Sequence, residues 1–375
     1  MPQVRRLLHV FSSFEIGGSQ IRFGQLANAT GDRYRHLVIA LDGRTEARTR
    51  LRPEASVEIL PFDPRKRGPI GDLWRFRRQL VGLRPDLLLT YNWGAIEWAL
   101  VNLVHPVCPH VGIVDGFGPE EVTGTLPRRR LLRRLVYGRA KALVVPSKRL
   151  EGTARQDWRI PARILRHIPN GIDIDRFQVP PDPTLLGELG LVPGEILIGT
   201  TAGLRPEKNV ARLIDAFAAI QSSRTARLVI IGDGPERTAL EAKVAGLGLD
   251  GRVLFTGALA RPERLLGALS VYALSSDTEQ MPISLVEAMA AGLPVASVDV
   301  GDVAEMVASD NRPLIQGRDA HSLAASLAAL LDDAARRQRL GQANRMIARD
   351  RFGEQRMIAA YDGLFAGDAA EASGA

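Results

Sequence analysis

Short apolar runs alternate with stretches of helical periodicity along almost the whole chain. The runs fall at residues 6–14, 36–41, 57–60, 86–91, 110–114 and 142–145, and again at 196–200, 228–232, 253–257, 271–274 and 294–298. They are apolar throughout rather than alternating, the pattern of strands buried on both faces of a parallel sheet. Between and after them, apolar residues recur at helical spacing over 71–83, 127–141, 210–220, 283–290, 320–331, 334–349 and 353–365. Strand–helix alternation of this kind predicts doubly wound α/β architecture. A stretch at 178–194, with prolines at 180, 181, 183 and 193, breaks the pattern and predicts a linker. The expected organisation is an α/β domain over 1–178, a linker over 179–193 and a second α/β domain over 194–352. A helix over 353–366 and a disordered tail over 367–375 complete it.

Composition adds two constraints. Hydrophobic residues are 45% and charged residues 24% of the chain, values normal for a globular protein. The one cysteine, Cys108, cannot form an intrachain disulfide and fits a reducing compartment. The apolar run near the N-terminus is too short for a signal-peptide core or a membrane span, so a cytoplasmic protein is expected. The net charge of +7 is unevenly distributed: residues 1–178 carry 30 Lys and Arg against 17 acids, the remainder 19 against 25. A basic half points to an anionic partner, which could be nucleic acid, an acidic membrane surface or phosphorylated substrates. No zinc-ligand spacing and no base-reading helix is evident, so nucleic acid is set aside.

The richest chemistry lies in SSDTEQMPISLVEAMAAGLPVASVDV, residues 275–300. Pro282 suits a first helical position, Gly292 suits the residue past the helix end, and Pro294 acts as a stop two residues later. Glu279 then stands in the loop before the helix and Glu287 about one and a half turns into it. The first-turn amides of Ile283 and Ser284 are free to face an anion, as at any helix N-terminus. Phosphate donors beside carboxylates that accept from hydroxyls suit a sugar nucleotide. By spacing alone, a solvated Glu279 and a Glu287 paired to a surface arginine fit equally well.

Glu279, Glu287 and the following EAMAAGLPV resemble the paired-glutamate signature of retaining GT-B glycosyltransferases of family four, and further matches run in family order along nearly the whole chain. The resemblance implies two Rossmann-like domains facing a central cleft, the donor mainly on the second and the acceptor mainly on the first. It implies that Glu287 binds the donor's ribose hydroxyls and Glu279 the hydroxyls of the donor sugar. Arg205 and Lys208, in GLRPEKN, would hold the diphosphate, whose charge grows as the glycosidic bond breaks. Gly17 and Gly18, in EIGGSQ, would offer backbone contacts to the donor's diphosphate, although two adjacent glycines are otherwise only a tight turn. The spacing is not the three-glycine dinucleotide fingerprint. Where many members carry a histidine after the strand at 110–114, this sequence has Asp115; Asp115, Glu120 or Glu121 could take its place, or the acids could form a solvated loop. Asn92 and Trp93, after the strand at 86–91, fit an acceptor contact or equally a polar turn over a packed tryptophan. Asn170-Gly171 matches a family turn of architectural role.

The resemblance implies a metal-independent hexosyl transfer from a nucleoside diphosphate sugar to a lipid-linked or glycan acceptor, with retention and no cofactor. The departing phosphate accepts the acceptor's proton, so no protein nucleophile is assigned. A nucleotide-sugar epimerase and a catalytically silent scaffold of the same fold are the alternatives; the irregular Asp115 favours the latter, and intact Glu279, Glu287, Arg205 and Lys208 oppose it. Finally, Arg128, Arg129, Arg130, Arg133 and Arg134 interleave with Leu131, Leu132, Leu135 and Val136. As a helix this predicts one apolar stripe flanked by arginines. It is either a domain helix with a solvated basic face or a surface for anionic membrane lipid, which Arg65, Lys66, Arg67 and Trp74 could extend.

Overall fold

The computed structural model describes residues 4–65, 68–117, 126–220 and 225–367. Two compact units divide the chain: residues 1–170 with 355–375, and residues 171–354.

The first unit is built on strands β1 (Arg5–Phe11), β2 (Tyr34–Ala40), β3 (Val57–Ile59), β4 (Leu87–Tyr91), β5 (His110–Ile113), β6 (Ala142–Val145) and β7 (Leu165–His167). Their order is β3-β2-β1-β4-β5-β6-β7 and every pairing is parallel. Helices α1 (Gly18–Thr30), α2 (Pro69–Leu83), α3 (Ile96–Val104), α4 (Pro127–Tyr137) and α5 (Lys148–Gln156) connect them. Leu7, Leu8, Val10, Leu88 and Leu89 are fully buried, because a central parallel strand packs on both faces.

The second unit holds β8 (Ile196–Thr201), β9 (Ala226–Ile231), β10 (Val253–Gly257), β11 (Val271–Leu274), β12 (Val295–Val298) and β13 (Ile315–Gln316), in the order β10-β9-β8-β11-β12-β13 and again parallel. Its helices are α6 (Pro183–Glu188), α7 (Val210–Ala218), α8 (Arg237–Gly246), α9 (Glu263–Leu266), α10 (Ile283–Ala290), α11 (Val303–Met306), α12 (Ala320–Leu331) and α13 (Ala334–Phe352). Helix α14 (Glu354–Ala366) belongs to the first unit: Met357, Ile358, Tyr361 and Phe365 enter its core, and Asp362 accepts from Tyr34 Oη at 2.8 Å.

The chain leaves the first unit earlier than residue 178. Ile172, Ile174 and Phe177 are buried in the core of the second unit, so the boundary falls after Asn170. The proline-rich stretch is no free linker either. Asp182 caps α6, Leu185, Leu186 and Leu189 pack against that same core, and Leu191 is buried in it. Prolines there start a helix rather than keep the chain extended, as Pro183 at the first helical position allows. Of the tail expected over 367–375, residues 368–375 lie outside the described residues.

Each sheet reverses its winding direction once, between β1 and β4 in the first unit and between β8 and β11 in the second. In open α/β sheets the crevice beyond the carboxyl ends of the strands at such a switch is where ligands bind. The loops at these two places carry the residues singled out by their motifs.

Candidate functional site

In the second unit the switch is formed by the loop after β8 and the loop after β11. The first lies tight on the turn after β9. A Cβ on Gly232, whose φ is +143°, would stand 1.9 Å from the Ala202 carbonyl oxygen, so only glycine fits. Leu204 N–H donates to the Asp233 carbonyl at 2.9 Å. A 3-10 turn over Pro206–Lys208 comes next, and Asn209, in the left-handed region at φ +43°, caps α7 by accepting from Arg212 N–H at 3.1 Å.

The loop after β11 is braced against this turn. Asp277 accepts from Asn209 Nδ2 at 3.0 Å and from Arg212 Nη2 at 2.6 Å, and Arg212 Nη1 donates to the Ser275 carbonyl at 2.8 Å. From the far side the 300–302 turn closes on it: Asp302 N–H donates to the Gln280 carbonyl at 3.0 Å. The outcome is a fixed contact between two predicted site residues. Lys208 Nζ lies 2.6 Å from Glu279 Oε1, which also accepts from Ser276 Oγ at 2.9 Å. Glu279 is only 11% exposed and Lys208 23%, so Glu279 is not the solvated loop acid that spacing alone permitted. Arg205 stands 60% exposed with Glu207 as its near partner at 3.4 Å.

Helix α10 begins one residue later than expected, since Pro282 is extended (ψ 117°) and serves as the cap. Ile283 and Ser284 open its first turn, where helix geometry leaves amides without intrahelical acceptors. Glu287 is half-buried, and no side chain among the described residues hydrogen-bonds its carboxylate. Burial pushes that carboxyl up to about 7; the Arg176 charge pulls it down and Glu263 pushes it up.

In the first unit the switch lies between the loop after β1 and the turn after β4. Gly17 is extended (φ −156°) and caps α1, and Gly18 is its first residue. The next residues carry an interaction the sequence did not reveal. Ser19 Oγ donates to Asp115 Oδ2 at 2.6 Å, and Arg22, only 2% exposed, binds the same carboxylate with Nη2 at 2.8 Å from Oδ2. Arg22 Nη1 also reaches Asn170 Oδ1 at 2.8 Å. Burial alone would raise the Asp115 carboxyl, but the Arg22 charge and the bonds from Arg22 and Ser19 outweigh it and hold it below its ordinary value. Asp115 is therefore a fixed anion, not a proton carrier. A lone arginine among the polar positions of a helix gives no sign that it turns inward, which is why Arg22 was invisible to pattern.

Asn92 has φ +57° and ψ −167°, a conformation nearly confined to glycine. Its Oδ1 accepts from Asp115 N–H at 2.8 Å and its own N–H donates to the Ile113 carbonyl at 2.8 Å, so the strained residue ties β4 to β5. Trp93 is half-buried beneath two guanidiniums, Arg129 at 4.8 Å and Arg133 at 5.0 Å from its ring centre. Glu120 and Glu121 lie outside the described residues, as do Lys66 and Arg67. His110, at the opposite strand end, bonds Thr90 Oγ1 at 2.8 Å inside the core.

The apolar stripe expected on α4 is corrected by the fold. Arg133 is 1% exposed, packed over Trp93, Phe117 and Trp158, and shares the inward face with Val136. Leu131 and Leu135 point outward instead, 67% and 41% exposed. The aromatic cage attracts a cation through its ring faces and displaces the leucines from the stripe. No described helix is long and apolar enough to cross a membrane.

Two family models match the chain, "Glycosyltransferase Family 4" over residues 16–176 and "Glycosyl transferases group 1" over residues 183–346. A 2-deoxystreptamine glucosyltransferase of Streptomyces kanamyceticus is 28% identical over 251 residues, 64% of this chain and 65% of that protein. A GDP-mannose-dependent alpha-(1-6)-phosphatidylinositol monomannoside mannosyltransferase of Mycobacterium tuberculosis is 32% identical over 49% of this chain and 51% of its own length. The chain thus spans about half to two thirds of these curated relatives. The solved structure of Anabaena Alr3699/HepE in complex with UDP superposes with a TM-score of 0.80 at 21% identity, covering 97% of this chain and 100% of that one, a likeness of fold. With both sheets, both switch points and both family models in agreement, the chain belongs to the family-four glycosyltransferases of GT-B fold.

Proposed function

We propose that this chain transfers a hexosyl unit from a nucleoside diphosphate sugar to a lipid-linked or glycan acceptor, with retention of anomeric configuration. The observation that carries the reading is the Lys208–Glu279 contact at 2.6 Å, at the switch point of the second sheet. It sets a cation and a sugar-hydroxyl acceptor side by side, as a diphosphate joined to a sugar requires. Arg205, Lys208 and the first-turn amides of Ile283 and Ser284 take up the charge of the leaving diphosphate, so the reading needs neither metal nor cofactor. Glu279 holds the donor sugar and Glu287 the ribose. The bond from the anomeric carbon to the leaving phosphate breaks as the bond to the acceptor oxygen forms on the same face, and the acceptor's proton passes to the departing phosphate. Gly17 and Gly18 offer backbone contacts to the diphosphate, Asn92, Trp93 and Glu120 serve the acceptor, and Asp115, in the place of the family's histidine, stands as an anion fixed by Arg22 and Ser19. The UDP-bound neighbour and the mannosyl and glucosyl transferase relatives support the donor class.

The named relative that acts on a phosphatidylinositol mannoside supports an acceptor held at an anionic membrane face, where a cytoplasmic enzyme would be peripheral. The outward face of α4, with exposed Leu131 and Leu135 beside Arg128, Arg130 and Arg134, suits that contact. Arg133 does not contribute, since it packs inward.

Thermal shift with UDP, GDP and ADP sugars tests the donor reading. A ligand at a hundred times its Kd adds about 2.7 kcal/mol of stability, a visible shift. One nucleotide class should stabilise the wild type, and Glu287→Gln should weaken that shift. No shift with any of them would overturn the transferase reading. Co-sedimentation with phosphatidylglycerol vesicles tests the membrane contact: low-salt binding should be lost in an Arg128/Arg130/Arg134→Gln variant. Equal pelleting of both proteins would remove the membrane and leave the transferase.

A further inference from the structure

Two guanidiniums serve Glu263 while none among the described residues bonds the carboxylate of Glu287. Glu263, 2% exposed on α9, accepts from Arg176 Nη2 at 2.8 Å through Oε2 and from Arg261 Nε at 3.0 Å through Oε1. Arg176 lies in a 3-10 turn, Asp175–Phe177, that packs against both α9 and α10, the helix that carries Glu287. Phe177 anchors that turn in the core. The Arg176 charge acts on Glu263 and on Glu287 together.

We propose that Arg176 and Glu263 are positioning residues for Glu287: one arginine is shared between two carboxylates, and Glu263 withholds it from the carboxylate that receives the donor's ribose. This rests on the reading of Glu287 as the ribose acceptor. A carboxylate accepts from both vicinal hydroxyls of a ribose, and charge-assisted bonds of this kind are roughly twice as strong as neutral ones. A protonated Glu287 gives up one acceptor oxygen to an O–H. How firmly the donor is held therefore depends on how far Arg176 leans toward Glu287.

Three other arginines on elements near α10 are engaged elsewhere. Arg345 of α13 donates to the Ala291 carbonyl at 2.9 Å, Arg349 faces Asp175 at 3.6 Å, and Arg264 pairs with Asp182. Asp173 acts on Arg176, and the buried Tyr272 hydroxyl of β11 feels both Glu287 and Glu279 while burial raises its pKa. Burial with the nearby Glu263 lifts the Glu287 carboxyl into the neutral range, so a change in either neighbour becomes measurable near pH 7.

The test combines two readouts on the full chain. Carboxyl carbon NMR, with Glu287 assigned from the missing resonance of Glu287→Gln, follows its titration between pH 5 and 8.5. Calorimetry with UDP, GDP and ADP follows nucleotide affinity over the same range. In the wild type, affinity should fall several-fold from pH 8 to pH 6. Arg176→Met should move the Glu287 titration to higher pH and weaken nucleotide binding at pH 7, and Arg176→Lys should restore part of both. Glu263→Gln, nearly isosteric, should do the opposite: it frees Arg176, lowers the titration and flattens the loss of affinity at pH 6. Opposite signs are the signature, because a packing defect would weaken binding in both variants alike. Same-direction shifts, or an unmoved Glu287 titration in both, overturn the sharing of Arg176. If Glu287→Gln itself leaves nucleotide affinity and its pH dependence unchanged, or none of the three nucleotides binds, the ribose reading fails first and takes this inference with it.

Discussion

At the carboxyl edge of the first sheet, Asp115 is half-buried, bonded by the buried Arg22 and by Ser19, and its proton is held off below the usual carboxylate range. At the same edge of the second sheet, Arg205 stands exposed and Glu287 titrates near neutrality. The winding is shared and the electrostatics are not. A carboxylate bonded by a buried arginine is committed to architecture, because separating the pair leaves a naked buried charge. A carboxylate without a bonded partner can still take one from a ligand. The same contrast runs deeper into the first unit, where His9, His36 and Tyr91 form a buried chain with 3.0 Å contacts between neighbours, and His36 reaches Thr30 Oγ1 at 3.2 Å.

Acid should separate the two units most strongly. Burial lowers the pKa of His9 well below its ordinary value with help from His36, and burial takes His36 to about 4 and His110 to about 3. Above about pH 6.5 these histidines are neutral in both states and cost nothing. Below it the unfolded chain binds protons that the folded one refuses, so stability falls by about 1.4 kcal/mol per pH unit for each, or about 6 kcal/mol for three by pH 5. Glu287 has the opposite sign. Its folded pKa, about 7, lies above its unfolded value, so its burden on the second unit is full above pH 7 and fades as pH falls toward the unfolded value near 4.5. All four tryptophans, Trp74, Trp93, Trp98 and Trp158, belong to the first unit, so their fluorescence reports that unit alone. The urea midpoint read by tryptophan should drop steeply between pH 7.5 and 5. A midpoint that stays level would abolish the contrast.

The next test aims at the buried pair. Arg22→Met leaves Asp115 desolvated without its partner and should cost the first unit about 3–5 kcal/mol. The tryptophan transition should move accordingly, while far-UV signal from the second unit keeps its midpoint. A loss under about 1 kcal/mol would mean that Asp115 is hydrated after all, and the edge would then be as open as its counterpart.

How much of this could be read beforehand depends on where each residue's role comes from. The strand runs were legible because parallel strands are apolar along their whole length, and 142–145, 253–257 and 271–274 coincide with β6, β10 and β11. Two short edge strands, β7 and β13, were missed: β7 has Arg166 and His167 beside a single leucine, and β13 is two residues long. The Lys208, Glu279 and Glu287 constellation was visible through its motif, but not the bond between the first two, which needs loops 71 residues apart to meet. The burial of Arg22, Arg133 and Glu263 escaped the pattern for one reason. Charged residues are expected at the surface, and burial of a charge is decided by a partner or ring face that only the fold supplies.

Activity should break where stability does not. Lys208→Ala removes a cation that is 23% exposed, and Glu279 keeps its bond from Ser276 Oγ, so its structural cost should stay below the roughly 3–5 kcal/mol expected of Arg22→Met. Its loss from the leaving diphosphate should slow donor hydrolysis ten- to a hundredfold, the worth of a charge-assisted bond of about 1.5–3 kcal/mol made in the transition state. Arg205→Ala should behave likewise. Hydrolysis at the wild-type rate in both would move the diphosphate away from this loop.

The smallest effect isolates backbone strain at Asn92, which has no counterpart at the second switch point, where Asn209 sits in the ordinary left-handed well. Replacing Asn92 by alanine removes the bond to the Asp115 amide and keeps a Cβ in a conformation close to glycine's own. Replacing it by glycine removes the same bond but relieves the strain, at the expense of a more flexible unfolded chain. The lost bond cancels between the two variants, so their difference reports the backbone. Strain of this kind costs about 1–3 kcal/mol, and glycine's extra unfolded entropy returns about 0.5–1. Asn92→Gly should therefore exceed Asn92→Ala in stability by roughly 1–2 kcal/mol in tryptophan-monitored urea unfolding. Equal midpoints would show that the turn relaxes when the side chain is cut. The first edge would then be held by the Arg22–Asp115 pair alone, with the backbone of Asn92 adapting to that pair instead of fixing it.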